Sequence, residues 1–135
     1  MNVIVLGQLS ALILGFLVGA KLPDVDLAPV GLWRHRSAWT HGPLLPLLAW
    51  RMSDAHPLVW WALVGALPAY AIHLLSDAFP KAWNGGALIK LYPLPGALGA
   101  VLSFVYILGG VAACGWVFWK LIEPVAAQWI GGLGG

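Results

Sequence analysis

The chain has 135 residues, of which 61% are hydrophobic and only 9% charged, with a mean hydropathy of +0.86; an ordinary soluble domain is about half apolar and a quarter charged. A formal charge of +2 without any basic run argues against a nucleic-acid partner. The lone cysteine, Cys114, sits in an apolar run, which excludes an intramolecular disulfide and speaks against a catalytic thiol.

These bounds predict one all-α membrane domain over 1–135, a small polytopic protein with about four transmembrane or partly inserted helices. The first apolar run, 3–20, is broken only by Gln8 and Ser10. It is just long enough for a hydrocarbon core of about 30 Å. A signal peptide is the alternative, because Val18-Gly19-Ala20 before Lys21 resembles a cleavage site. No Lys or Arg precedes the run, however, and a signal peptide needs positive charge there. A polar loop follows at 21–41, with Pro23 and Pro29 expected to keep it non-helical.

The second helix is expected at 42–55, with Thr40 as N-cap and Pro43 in its first turn. Its apolar part reaches only about 17 Å, so it is short, tilted or a half-helix. Arg51, Asp54 and His56 mark its far end. The third helix covers 57–77, carries His73 and Asp77, and has Pro68 as a possible kink. A Pro- and Gly-rich loop at 78–98 leads to the last helix at 99–122, whose small residues Gly109, Gly110, Ala112, Ala113 and Gly115 suit close helix packing. The tail after Pro124 reads as a short interfacial segment. Trp33, Trp39, Trp50, Trp60, Trp83 and Trp129 fall near the ends of apolar runs, where interfacial anchors belong.

Polar chemistry is concentrated in three places. In His73-Leu-Leu-Ser-Asp77 the imidazole and the carboxylate are four apart, hence stacked on one helical face. Such a pair can serve as a bidentate platform for a divalent metal; the bland alternative is a hydrogen-bonded pair near a helix end. In Pro23-Asp24-Val25-Asp26, an extended backbone would point both carboxylates the same way; the alternative is a solvated turn. The stretch RHRSAWTHG, 34–42, holds His35 and His41, which converge only if a loop carries at least one of them. Arg36 offers a planar fork to an anionic group, although Arg34 and Arg36 also serve as topology signals. The pooled oxygen and imidazole donors are enough for one or two divalent ions, with no thiolate involved. They suit a hydrolytic site in which metal-bound water is the nucleophile.

The motifs PDVD, HRSAWTHG and HLLSDAFPKAWNGGALIKLYPLPG together resemble the YdjM-like family of inner-membrane metal-dependent hydrolases. The resemblance covers about two thirds of the chain, from Gly7 to Gly96. The H-x-x-x-D element is in turn more distantly similar to that of zinc-dependent phospholipase C and P1-type nucleases. The resemblance implies a metal site at Asp24, His35, His41, His73 and Asp77, with Asp26 as a partner. Family members often carry histidines where this chain has Gln8 and Leu27, and serine where it has Gly42.

The resulting expectation is a membrane-embedded hydrolase acting on a phosphoester or ester of a lipid-like substrate. Asp24, His41, His73 and Asp77 would bind a divalent ion, zinc first, with manganese or iron as alternatives. His35 or Asp26 would act as general base, and Arg36 would hold an anion. If the run from Gly42 returns across the bilayer, these residues share a face with Lys21, Arg34, Arg36, Lys81 and Lys90. The positive-inside rule then places them on the cytoplasmic side of a bacterial inner membrane. The expected partners are the lipid bilayer and other membrane protein subunits. The alternative is a non-catalytic accessory subunit of a membrane complex, packed through Trp60-Trp61 and the small residues of 109–115. A small transporter is the remaining option, since ionisable residues in membranes often line ion paths.

Overall fold

A computed structural model describes residues 2–27, 39–78 and 96–132. Four α-helices account for nearly all of it: α1 (Val3–Lys21), α2 (Leu44–Met52), α3 (Pro57–Ala78) and α4 (Gly96–Gly132), with a 3-10 helix over Leu22–Leu27. No strand occurs among the described residues. Three segments are long and apolar enough to cross a membrane: Val3–Asp24, Pro57–Ala78 and Ala97–Ile130. At 1.5 Å per residue, the 22 residues of α3 reach about 33 Å, which matches a hydrocarbon core of about 30 Å. The nine-residue α2 reaches about 14 Å, too short to span, in keeping with a half-helix.

The α1–α3 pair forms the most extensive helix contact. A Cβ added at Gly15 would overlap the Ala62 backbone, one at Gly19 the Ala66 backbone, and one at Gly65 the Leu12 carbonyl. The two backbones therefore touch, which only glycine permits. In lipid, where apolar surface gains little by leaving its surroundings, small residues and van der Waals contact supply the association. Gly15-Phe-Leu-Val-Gly19 is the G-x-x-x-G pattern of such interfaces. The small residues singled out on the last helix behave differently. Gly109 and Gly115 face open space, and Gly110 alone packs, against Leu74 and the Gly42 backbone.

Contact order along the helices sets their directions. Gly7 lies beside Leu58, Gly19 beside Ala66, and Ala20 beside His73, so α1 and α3 run parallel. On α4, Gly110 meets Leu74 and Cys114 lies near Tyr70, so α4 runs antiparallel to α3. The chain between α1 and α3 must consequently return across the bundle, and α2 supplies part of that return. Trp50 at its end meets Trp116 of α4, with ring centroids 5.6 Å apart. At the turn into α3, the Leu58 N–H donates to His56 Nδ1 at 3.1 Å, satisfying one of the orphan donors of the helix start. Between α3 and α4 lies the core, formed by Leu67, Tyr70, Leu74, Ala78, Ile107, Cys114, Val117 and Leu121. Cys114 is free and buried, in line with a structural rather than catalytic thiol.

Three local expectations are corrected. Leu22–Leu27 is a 3-10 helix, not an extended segment, so the strand alternation expected across Asp24 and Asp26 does not apply. The N-cap of α2 is Pro43, without a side-chain cap, because the Thr40 hydroxyl is engaged by His41 instead. Finally, α4 does not stop at 122 but continues through Pro124. Proline's fixed φ is compatible with a helix, and its missing N–H frees only one carbonyl. The 37 residues of α4 reach about 55 Å, so one end projects beyond a core of about 30 Å. Exposed large apolar side chains cover the outside of α1 and α4, among them Ile4, Ile13, Leu17, Val101 and Val105.

Candidate metal centre

The end of α3 carries the site. Its residues Tyr70, His73 and Asp77 follow at spacings of three and four, which places them along one helical face. The parallel α1 delivers its C-terminus and the following Asp24 to the same end. The segment leading into α2 inserts His41 between α3 and α4. Four residues expected from sequence are thus brought together: Asp24, His41, His73 and Asp77.

His41 is fully buried, and its Nε2 lies 3.0 Å from Asp77 Oδ2. Its Nδ1 lies 2.9 Å from the Thr40 hydroxyl, a group able to donate or accept and so to support either tautomer of the ring. The His73 ring stands across from it, centroids 6.0 Å apart at 64°. His73 Nδ1 lies 2.9 Å from the Ala20 carbonyl. A carbonyl only accepts, so the proton is on Nδ1. Nε2 then faces two carboxylate oxygens, Asp77 Oδ2 at 3.4 Å and Asp24 Oδ1 at 3.5 Å.

That arrangement has a chemical consequence. A neutral His73 would turn the lone pair of Nε2 toward two anionic oxygens, which is unfavourable unless a proton or a metal cation lies among them. The separations exceed the usual 2.7–3.2 Å of an N–H···O bond. Two ligand atoms on a tetrahedral ion at 2.0–2.1 Å stand about 3.4 Å apart, close to the spacing found. Histidines that bind metal also usually donate their other N–H to a carbonyl or carboxylate, which orients the ring; Ala20 fills that role for His73. One atom each from His41, His73 and Asp77 lies within 4.8 Å of the others, a group able to hold a metal ion. Asp24 stands at its open edge. The side chains are 0% exposed for His41, 14% for Asp77, 18% for His73 and 31% for Asp24, so the cluster is sealed at His41 and open at Asp24.

Two residues not singled out from sequence hold the His41 segment in place. The Tyr70 hydroxyl, one turn before His73, donates to the Thr40 carbonyl at 2.5 Å and to the Gly42 carbonyl at 3.4 Å. An aromatic residue with a polar tip at i−3 from a candidate ligand was the available signal. Tyr106 of α4 lays its ring over Gly42, where any Cβ would collide with it. This accounts for glycine at that position.

Of the other expected site residues, His35, Arg34 and Arg36 lie outside the described residues, as do Lys81 and Lys90. The Asp26 backbone belongs to the 3-10 helix, and its side chain is also outside the described set. Gln8 directly follows Gly7, which meets Leu58 at the opposite end of α1. Twelve residues separate it from Ala20, about 18 Å along the helix, so it is remote from the cluster and a histidine there would add no ligand. A search of family models, curated proteins and solved structures finds no match to the chain.

Proposed function

We propose that this chain is a membrane-embedded, metal-dependent hydrolase of the YdjM-like kind, acting on a phosphoester or ester of a lipid-like substrate. The observation that carries the reading is the His73 ring, held by the Ala20 carbonyl so that Nε2 faces the oxygens of Asp77 and Asp24. His41, His73 and Asp77 serve as ligands, a two-histidine, one-carboxylate set that suits zinc, with manganese or iron as further candidates. When bound, such an ion supplies Lewis acidity and acidifies water at the open position. With an ion held there, Asp24, at the exposed edge, would take a proton from the attacking water and return it to the departing alcohol as the ester P–O or C–O bond breaks. Asp26 and His35 are the other candidates for that proton transfer, and Arg36 for holding the anionic group. Thr40 keeps the His41 ring oriented. The assignment to a bacterial inner membrane, with the site on the cytoplasmic face, rests on the positive-inside rule applied to Lys21 in the last turn of α1.

The test is metal content by mass spectrometry on detergent-purified protein, wild type beside His73→Ala/Asp77→Ala. About one divalent ion per wild-type chain, lost in a variant of unchanged helix content, supports the reading. A metal-free wild type with an equally folded variant overturns it. A second reading, an accessory subunit with a structural metal site, is favoured by the nearness of Asp24: as a fourth ligand it would close the tetrahedron and leave no open position. Asp24→Asn separates the two. Full metal retention fits the hydrolase; loss of the ion fits the structural site.

A further inference from the structure

Beside His73, on the outward side of the α1–α3 pair, lies a cleft of about 230 Å³ lined by Phe16, Ala20, Ala69, Ile72, His73 and Ser76. Phe16 and Ala20 are one turn apart on α1. Ala69, Ile72 and Ser76 climb two turns of α3, so the cleft extends about 10 Å along the helix axes. In a membrane that direction is the direction of the lipid chains. Its composition changes along its length. The end deeper in the helices is Phe16 and Ala69; the end at the metal cluster is His73 and Ser76. Phe16 and Ile72 remain 46% and 59% exposed at the rim, where lipid would be their neighbour. The Ser76 hydroxyl donates to the Ile72 carbonyl at 2.9 Å.

From this polarity order, and from continuity with the metal cluster, we propose that the cleft binds one hydrocarbon chain of a long-chain phosphoester amphiphile, which reaches the site sideways from the bilayer. The head lies at His73 and Asp24, and the chain runs past Ile72 toward Phe16. The helix directions match the occupant: both lining helices point their polar ends toward the same membrane face, as a lipid in that leaflet does. A partner helix is a poorer fit, because packed helices keep axes 8–10 Å apart and a cleft of about 230 Å³ has room for a single chain, not for a helix. The assignment rests on the hydrolase reading for the position of the head, but not for the cleft itself.

The experiment uses the full chain in detergent micelles with a phosphatidic acid carrying a diazirine in one acyl chain, photolysed and mapped by peptide mass spectrometry, with bound metal measured on the same samples. The expected result is labelling at Phe16, Ala69 and Ile72 that saturates with probe and is competed by unlabelled phosphatidic acid. Labelling at outward-facing Ile13 and Val105 should rise without saturation. Ala69→Leu, which fills the floor, should weaken saturable labelling about tenfold, the change produced by losing about 1.4 kcal/mol of affinity, with metal content unchanged. If that variant loses its helix content, Ile72→Trp, which covers the rim, replaces it. Unsaturable labelling throughout overturns the proposal, as does saturable labelling that neither variant alters. Metal without saturable labelling sinks the chain site and leaves the hydrolase reading standing; saturable labelling of a metal-free chain does the reverse.

Discussion

Gly19→Ala adds one carbon about 20 residues from the nearest histidine ligand in sequence, yet the structure predicts that it weakens metal binding. The new Cβ would sit inside the Ala66 backbone, and backbone cannot rotate away as a side chain can. Restoring ordinary carbon contact requires α1 to back off from α3 by on the order of 1 Å. The next residue, Ala20, holds His73 Nδ1 at 2.9 Å. A shift of that size would carry the pair beyond hydrogen-bonding distance, and losing the partner on a ligand's second nitrogen costs roughly 10–100-fold in metal affinity. That equals about 1.4–2.7 kcal/mol, within the roughly 1–3 kcal/mol typical of overpacking. The assay is competition for zinc against a chromophoric chelator, with purified wild type, Gly19→Ala and Gly109→Ala. Gly109 faces open space, so its variant should bind within about twofold of wild type. Wild-type affinity in a folded Gly19→Ala protein would refute the coupling between the helix contact and the His73 ring.

Thr40→Val removes the group on His41 Nδ1 and should lower metal affinity by about 10–100-fold, with Thr40→Ser restoring most of it, read by the same competition. Tyr70→Phe deletes the donor to the Thr40 and Gly42 carbonyls; leaving buried acceptors unpaired should cost about 1–3 kcal/mol in detergent unfolding titrations. Gly42→Ser should be destabilising because its Cβ meets the Tyr106 ring, and Tyr106→Ala should relieve it, giving a coupling of about 0.5–3 kcal/mol in a double-mutant cycle. Cys114, buried between α3 and α4, should resist maleimide until the protein is denatured.

The helical membrane class followed from composition and run length, because a bilayer makes the same demand of any spanning segment: backbone groups satisfied internally and an apolar outside. The His73–Asp77 pairing was equally legible, since a spacing of four is a local property of a helix. The glycine contact was written in the chain too, in Gly15 and Gly19, but small residues on α4 were the more numerous signal and most of them face outward. The sequence suggests that α4 ends at 122, yet the helix runs on through Pro124, because proline weakens a helix without obliging it to stop. The extended geometry assumed for Asp24 and Asp26 failed because a short acidic turn carries no strong period of its own.

Sequence by itself therefore determined what depends on neighbours along the chain: the spans, the stacked imidazole and carboxylate, and the supply of carboxylate and imidazole ligands in three short motifs. Tertiary structure alone decided which of those ligands meet. His41 reaches Asp77 across 36 residues, and Asp24 reaches His73 only because α1 and α3 run parallel. The His73 ring is turned by a carbonyl 53 residues away. Such contacts depend on how closely two backbones approach, and that distance is set by packing between helices, which no local periodicity encodes.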